Sequence, residues 1–126
     1  MTSITTKSGK KQKNGKSGFK PGDVITSEIP YSDKDGSKTR PLVVLSSCEH
    51  NRTRQDLVVA KISSSAVNNC WEVAIKKWLE AGLIKPSKVV CDHITVVSKT
   101  SAKVIGHMDP KTFAEVKNKI GSLLGL

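Results

Sequence analysis

No apolar run in this 126-residue chain approaches the roughly 18 residues that cross a bilayer as a helix. The N-terminus holds no hydrophobic core, so no signal peptide is expected. A cytoplasmic location with no membrane partner is the expectation. Cysteine is scarce, limited to Cys48, Cys70 and Cys91. An odd, irregular set builds no disulfide framework and reads as three reduced, mostly buried thiols that pack as small hydrophobes. There is no C-x2-C pair, no G-x-S-x-G or G-x-C-x-G elbow, no P-loop and no G-x-G-x-x-G. These absences speak against a zinc site, a nucleophile elbow and a nucleotide cofactor, so no metal and no cofactor are expected. No internal repeat is present.

Acid is missing from the first twenty residues, which carry Lys7, Lys10, Lys11, Lys13, Lys16 and Lys20. The formal net charge is +10, which points towards polyanions such as nucleic acid. The remaining residues hold 15 Lys and Arg against 11 Asp and Glu, a balance near +4. The foldable part is therefore only mildly basic. Residues 1–18 are too polar to repay ordering and read as a disordered basic arm. The arm is either a solvated tail or cloning remnant, or a polybasic strengthener of RNA contact. Residues 19–126 read as one domain of a size that can bury a modest core.

Order begins at "FKPGD", where Pro21-Gly22 marks a turn. Strands are expected over 23–29, 41–47, 56–62 and 71–75. Residues 30–39 read as a long polar loop and 49–55 as a polar connection. Pro41 suits the first position of a strand because it has no N–H for the ladder. Residues 76–81 read as a short helical turn ended by Gly82. Residues 87–98 read as a bent strand or two strands, interrupted at Cys91-Asp92-His93, and residues 102–107 as a last strand. Asp109 as N-cap, Pro110 at N1 and a stripe of Phe113, Val116, Ile120, Leu123 and Leu124 predict a helix that Gly125 ends. The class is α+β and mainly β, a small and strongly bent sheet or barrel with a C-terminal helix.

Two C-x-H units, Cys48-Glu49-His50 and Cys91-Asp92-His93, could each present two ligands from one strand face. Their spacing departs from that of usual zinc sites, and the plain alternative is two polar strand ends. Cys91 and His93 are close in sequence but are not forced into contact as a nucleophile and its base. What remains is a set of polar groups at strand ends. Arg40 is a permanent cation with a planar donor fork that matches a phosphate. Ser63, Ser64 and Ser65 follow a strand and could hold phosphate oxygens. Asp92 or His93 could move a proton. Such parts suffice for metal-free RNA cleavage, in which a ribose 2′-OH attacks its own phosphate. Each alone is unspecific, since an arginine before a strand also serves as a surface residue or ion-pair partner.

Taken in order, the segments resemble the MazF/PemK/Kid family of bacterial toxins. "PGDVI" resembles the opening strand. "IPYSDKDGSKTRPLVVLSS" is similar to a Gly-Ser-basic loop followed by Arg-Pro and an apolar strand. "DLVVAKISSS", "WLEAGLIKPSKVVCDHI" and "IGHMDPKTFAEVKNKIGSLLG" resemble the later segments. The resemblance implies an SH3-like barrel with a C-terminal helix, found as a homodimer. It implies ribosome-independent cleavage of single-stranded mRNA at short sequences. It also implies a cognate antitoxin whose segment lies across the RNA groove. Arg40 matches the catalytic arginine, which the resemblance implies acts in proton transfer and charge stabilisation, Ser63 falls where most members have a catalytic threonine, and Asp92 matches an Asp that some members use. Ser37, Lys38, Thr39, Ser64, Lys88 and His93 are the accompanying substrate-binding candidates.

One position departs from the pattern. The family often has an arginine two residues before that Asp, and here the residue is Val90. Regular strand alternation would put Lys88, Val90 and Asp92 on one face and His93 on the other, making Lys88 the substitute cation. The competing reading is a binding module of the same fold, catalytically weak or inactive, that acts on nucleic acid or blocks a gyrase-type protein target. A weaker third reading is a small regulator with no toxin role.

Overall fold

The computed structural model describes residues 18–30 and 37–126. The arm over 1–17 and the segment 31–36 of the polar loop lie outside the described residues. Six strands appear in chain order: β1 (Asp23–Pro30), β2 (Ser37–Val44), β3 (Asp56–Ser63), β4 (Glu72–Ile75), β5 (Ser87–Ser98) and β6 (Lys103–His107). They are joined by a short helix α1 (Cys48–Thr53) and followed by α2 (Pro110–Leu124). The strands pair antiparallel in the order β4-β5-β3-β2-β1-β6 and curl into a half-barrel.

The sheet buries apolar side chains on both faces. On one face Val24, Val43, Ala60, Ile62, Val73, Ile75 and Val89 pack with Met108, Phe113 and Val116 at the start of α2. On the other, Ile25, Leu42, Val44, Leu57 and Val59 form a second cluster. That explains the unbroken apolar run over residues 42–45, whose alternate residues serve opposite clusters. Helix α2 follows its sequence signals. Asp109 Oδ2 accepts from the Thr112 N–H at 3.0 Å, and Gly125 closes the helix with φ 75°.

The strand at 41–47 is displaced towards the N-terminus, because β2 begins at Ser37 in register with Pro30 of β1. The segment at 49–55 is helical in α1, where the sequence reading had a polar connection. Ser47 caps α1 by accepting from His50 N–H at 3.1 Å. This helix has no apolar stripe to reveal it, since its buried residue is Asn51. Asn51 Nδ2 donates to the Phe19 and Ser46 carbonyls, its Oδ1 accepts from Ser46 Oγ at 2.6 Å, and its own carbonyl accepts from Lys99 Nζ at 2.7 Å. Burial is tolerated because every polar atom of the amide is matched.

Residues 76–82 form turns in place of a helical turn, and Gly82 takes φ 87°. A Cβ there would lie 2.2 Å from the Ile105 carbonyl oxygen, and one on Gly106 would lie 2.2 Å from that of Ala81. The turn after β4 thus lies backbone-to-backbone on β6, bringing the two edges of the sheet together.

A basic groove at the divergence of two strands

The β2–β3 ladder pairs Val44 with Val59, Val43 with Ala60 and Leu42 with Lys61, and ends there. The next couple would be Pro41 with Ile62. Proline offers no N–H to a ladder, which fits an end at this point. β2 stays paired with β1, through Pro41–Thr26 and Arg40–Ser27, while β3 stays with β5. Between the diverging strands lies a groove of about 550 Å³. Arg40, Lys61, Ser63, Ser64, His93 and Lys85 supply its polar wall, and Leu42, Ile84 and Ile105 part of its apolar one.

Arg40 is exposed at the β2 side. Ser63 stands at the same level on β3, two positions past the last couple. Its Oγ lies 3.1 Å from Ser65 Oγ and accepts from the Ser65 N–H at 3.4 Å. The hydroxyl is therefore held in a local turn at the lip. Cations line this groove and no carboxylate does, among the described residues.

β5 arranges the other candidates. Lys61 pairs with Val90 but Ala60 pairs with Ile94, so Cys91, Asp92 and His93 form a bulge. The strand is bent, as the sequence suggested, and its alternation reverses across the bend. Val89, before the bulge, and Cys91, its first residue, are buried in the core. His93, its last residue, and Thr95 beyond it line the groove. The expected face-sharing of Lys88 and Asp92 with His93 opposite is thereby corrected: the bulge carries His93 to the groove. Asp92 is exposed but lies outside the lining.

Lys88 requires a second correction. Its side chain is buried, with Nζ 2.7 Å from Glu72 Oε1 and 2.8 Å from the Ala66 carbonyl. The hydrogen bond from Lys88 holds the Glu72 carboxyl below its ordinary range. A lysine committed to this pair on the β4 side does not substitute in the groove for the arginine replaced by Val90. Of the remaining binding candidates, Thr39 is exposed and pairs with Glu28 across the β1–β2 ladder, and Ser64 lines the groove. Ser37 and Lys38 lie on the β2 backbone opposite Pro30 and Ile29.

Lys61 and Lys85 were missed as groove cations. Lys61 was legible, two residues before Ser63 on one strand and hence on its face. Lys85 lies in the irregular turn after β4 and gave no periodic signal.

The C-x-H units do not present paired ligands. Cys48 and His50 sit on helix α1, where i and i+2 diverge. Cys91 is in the core while His93 lines the groove. Burial raises the Cys91 thiol to about 11, which removes it as a nucleophile near neutral pH. Cys48 and Cys70 are exposed, against the expectation of mostly buried thiols. No helix among the described residues is long and apolar enough to cross a membrane.

Residues 20–124 match a family model described as PemK-like, MazF-like toxin of type II toxin–antitoxin system. None of the curated proteins compared with the chain matches it. Solved structures show the same fold. A MazE–MazF crystal structure from Deinococcus radiodurans superposes with TM-score 0.71 at 24% identity, over 86% of this chain and 97% of that one. An endoribonuclease in complex with its cognate antitoxin from a mycobacterial species gives TM-score 0.72 at 19% identity, over 86% and 96%. The Mycobacterium tuberculosis toxin MazF-mt6 gives 0.67 at 20%, over 82% and 97%.

Proposed function

This chain belongs to the PemK-like, MazF-like toxin family of type II toxin–antitoxin systems, whose members are generally endoribonucleases, and on that premise we propose that it cuts single-stranded mRNA at short sequences without a metal ion. The observation that carries the reading is the placement of Arg40 and Ser63 at one level on diverging strands, in a groove lined by cations. A single strand of RNA brings a phosphate, and a guanidinium fork is matched to two of its oxygens. Attack of the ribose 2′-OH builds negative charge on those oxygens. The ladder of β1 and β2 holds the Arg40 backbone at the groove, from which its guanidinium would stabilise that charge. The Ser63 hydroxyl supplies a further donor. It stands in for the threonine of most members, keeping the hydroxyl and losing a methyl.

Lys61 and Lys85 add the sequence-independent attraction that any polyanion feels. The same charge favours an acidic antitoxin segment laid across the groove. The solved relatives in complex with antitoxins support such a partner for this chain. Homodimerisation follows from the family resemblance and belongs to the same proposal.

Incubation of purified protein with single-stranded RNA of varied sequence in EDTA tests the reading. Fragments ending in a 2′,3′-cyclic phosphate, with a 5′-hydroxyl on the other product, are expected. Intact RNA across all sequences at excess protein would sink it and favour the binding module.

A further inference from the structure

We infer that His93 is the proton-transferring group of this groove, a role that rests on the endoribonuclease reading and goes beyond it. The 2′-OH must lose a proton as it attacks, and the departing 5′-oxygen must gain one. Among the described residues, the groove's other polar groups are poor acceptors for the first proton. The guanidinium of Arg40 is a donor with no acceptor site. An ammonium group, as a lysine side chain carries, is a donor with no acceptor site. The hydroxyls of Ser63, Ser64, Ser87, Thr26 and Thr95 are weak bases. No carboxylate lines the groove among the described residues. An imidazole does, and it is the side chain whose ordinary titration lies nearest neutrality.

The backbone explains why His93 and not its neighbour takes the place. Three residues, Cys91 to His93, are inserted between the Lys61–Val90 and Ala60–Ile94 couples. The odd count reverses the alternation, sending Cys91 to the core and bringing His93 and Thr95 to the groove. The charged groups that line the groove with His93 are Arg40 from β2, Lys61 from the adjoining β3 and Lys85 from the turn after β4.

The step balances as follows. A ring nitrogen of His93 takes the 2′-OH proton while the 2′-oxygen bonds to phosphorus. The P–O5′ bond breaks, and the imidazolium returns the proton to the 5′-oxygen. The products are the cyclic phosphate and a 5′-hydroxyl, with the imidazole neutral again.

The test is the pH–rate profile of wild type, His93→Gln and Asp92→Asn on one RNA in EDTA. His93→Gln should lose about a hundredfold in kcat/KM, together with the limb an imidazole contributes between about pH 5 and 8. Asp92→Asn should keep that limb. A His93→Gln enzyme with the wild-type profile, or loss of the limb in Asp92→Asn, overturns the assignment while leaving the endoribonuclease intact. A wild type that cuts no RNA overturns both. A second measurement needs no variant: the ring resonances of His93 should shift when a single-stranded oligodeoxynucleotide saturates the wild-type protein, while those of His50 and His107 stay. An unmoved His93 signal at saturation overturns the proposal.

Discussion

Arg40 and Ser63 stand at one level, two positions beyond the last paired couple of β2 and β3, where a closed ladder would have joined them. Both line the groove that opens there. Two groups so placed can grip one phosphate. Arg40→Ala is expected to lower kcat/KM on RNA by at least about a hundredfold. Ser63→Ala should cost less and Ser63→Thr little. If the two act on the same charge, as proposed, the double variant should lose little more than Arg40→Ala alone. Fully additive losses would separate them.

Gly82 and Gly106 let the turn after β4 rest on β6. A methyl group at Gly82 meets the Ile105 carbonyl oxygen at 2.2 Å and also suffers from φ 87°. Gly82→Ala should therefore cost about 2–4 kcal/mol in denaturant unfolding. Gly106→Ala should cost a similar amount. Gly121 in α2 is the contrast, since its added Cβ meets nothing within 4 Å. Gly121→Ala should stabilise by about 0.5–1 kcal/mol. Equal effects at all three positions would refute the tight backbone contact.

The Glu72–Lys88 pair makes stability depend on acid. The Glu72 carboxyl titrates below its ordinary 4.5, chiefly through the hydrogen bond from Lys88. A group depressed on folding contributes its full stability above the unfolded value and loses it as pH falls through the folded one. Unfolding curves followed from pH 6 downwards should steepen below about 4.5, and Glu72→Gln should remove that part of the slope. An unchanged slope in Glu72→Gln would exclude the pair as its source.

The three thiols should separate chemically. Cys48 and Cys70 are exposed, whereas Cys91 is buried with its thiol pushed up to about 11. A thiol reagent at pH 7.5 should label two cysteines in the native protein and the third only on unfolding. Rapid native labelling of Cys91 would contradict the closed core around it.

Much of this architecture could be read from residues alone. The alternation in β3 and the cap, proline and apolar stripe of α2 are local signals, and local signals survive folding. The Arg-Pro pair read as the start of a strand, yet it lies inside β2, and what ends beside Pro41 is the ladder to β3. Helix α1 escaped because its inward residue is a polar Asn51, matched by partners distant in sequence such as Phe19 and Lys99. The fate of Lys88 escaped for a similar reason. Its partner Glu72 lies on a neighbouring strand, and only the β4–β5 register brings them together. The groove's own membership depended on a count of bulged residues, which no periodicity in β5 discloses.

That count makes the length of the 91–93 segment a sensitive property for the fold, apart from the identity of His93. A substitution there alters one side chain. Deleting any one of the three residues would shift the phase of everything beyond it, turning the groove wall of β5 inward and the hidden side outward. The bend therefore works as a phase switch built into a single strand, letting one ribbon be core at one end and groove wall at the other.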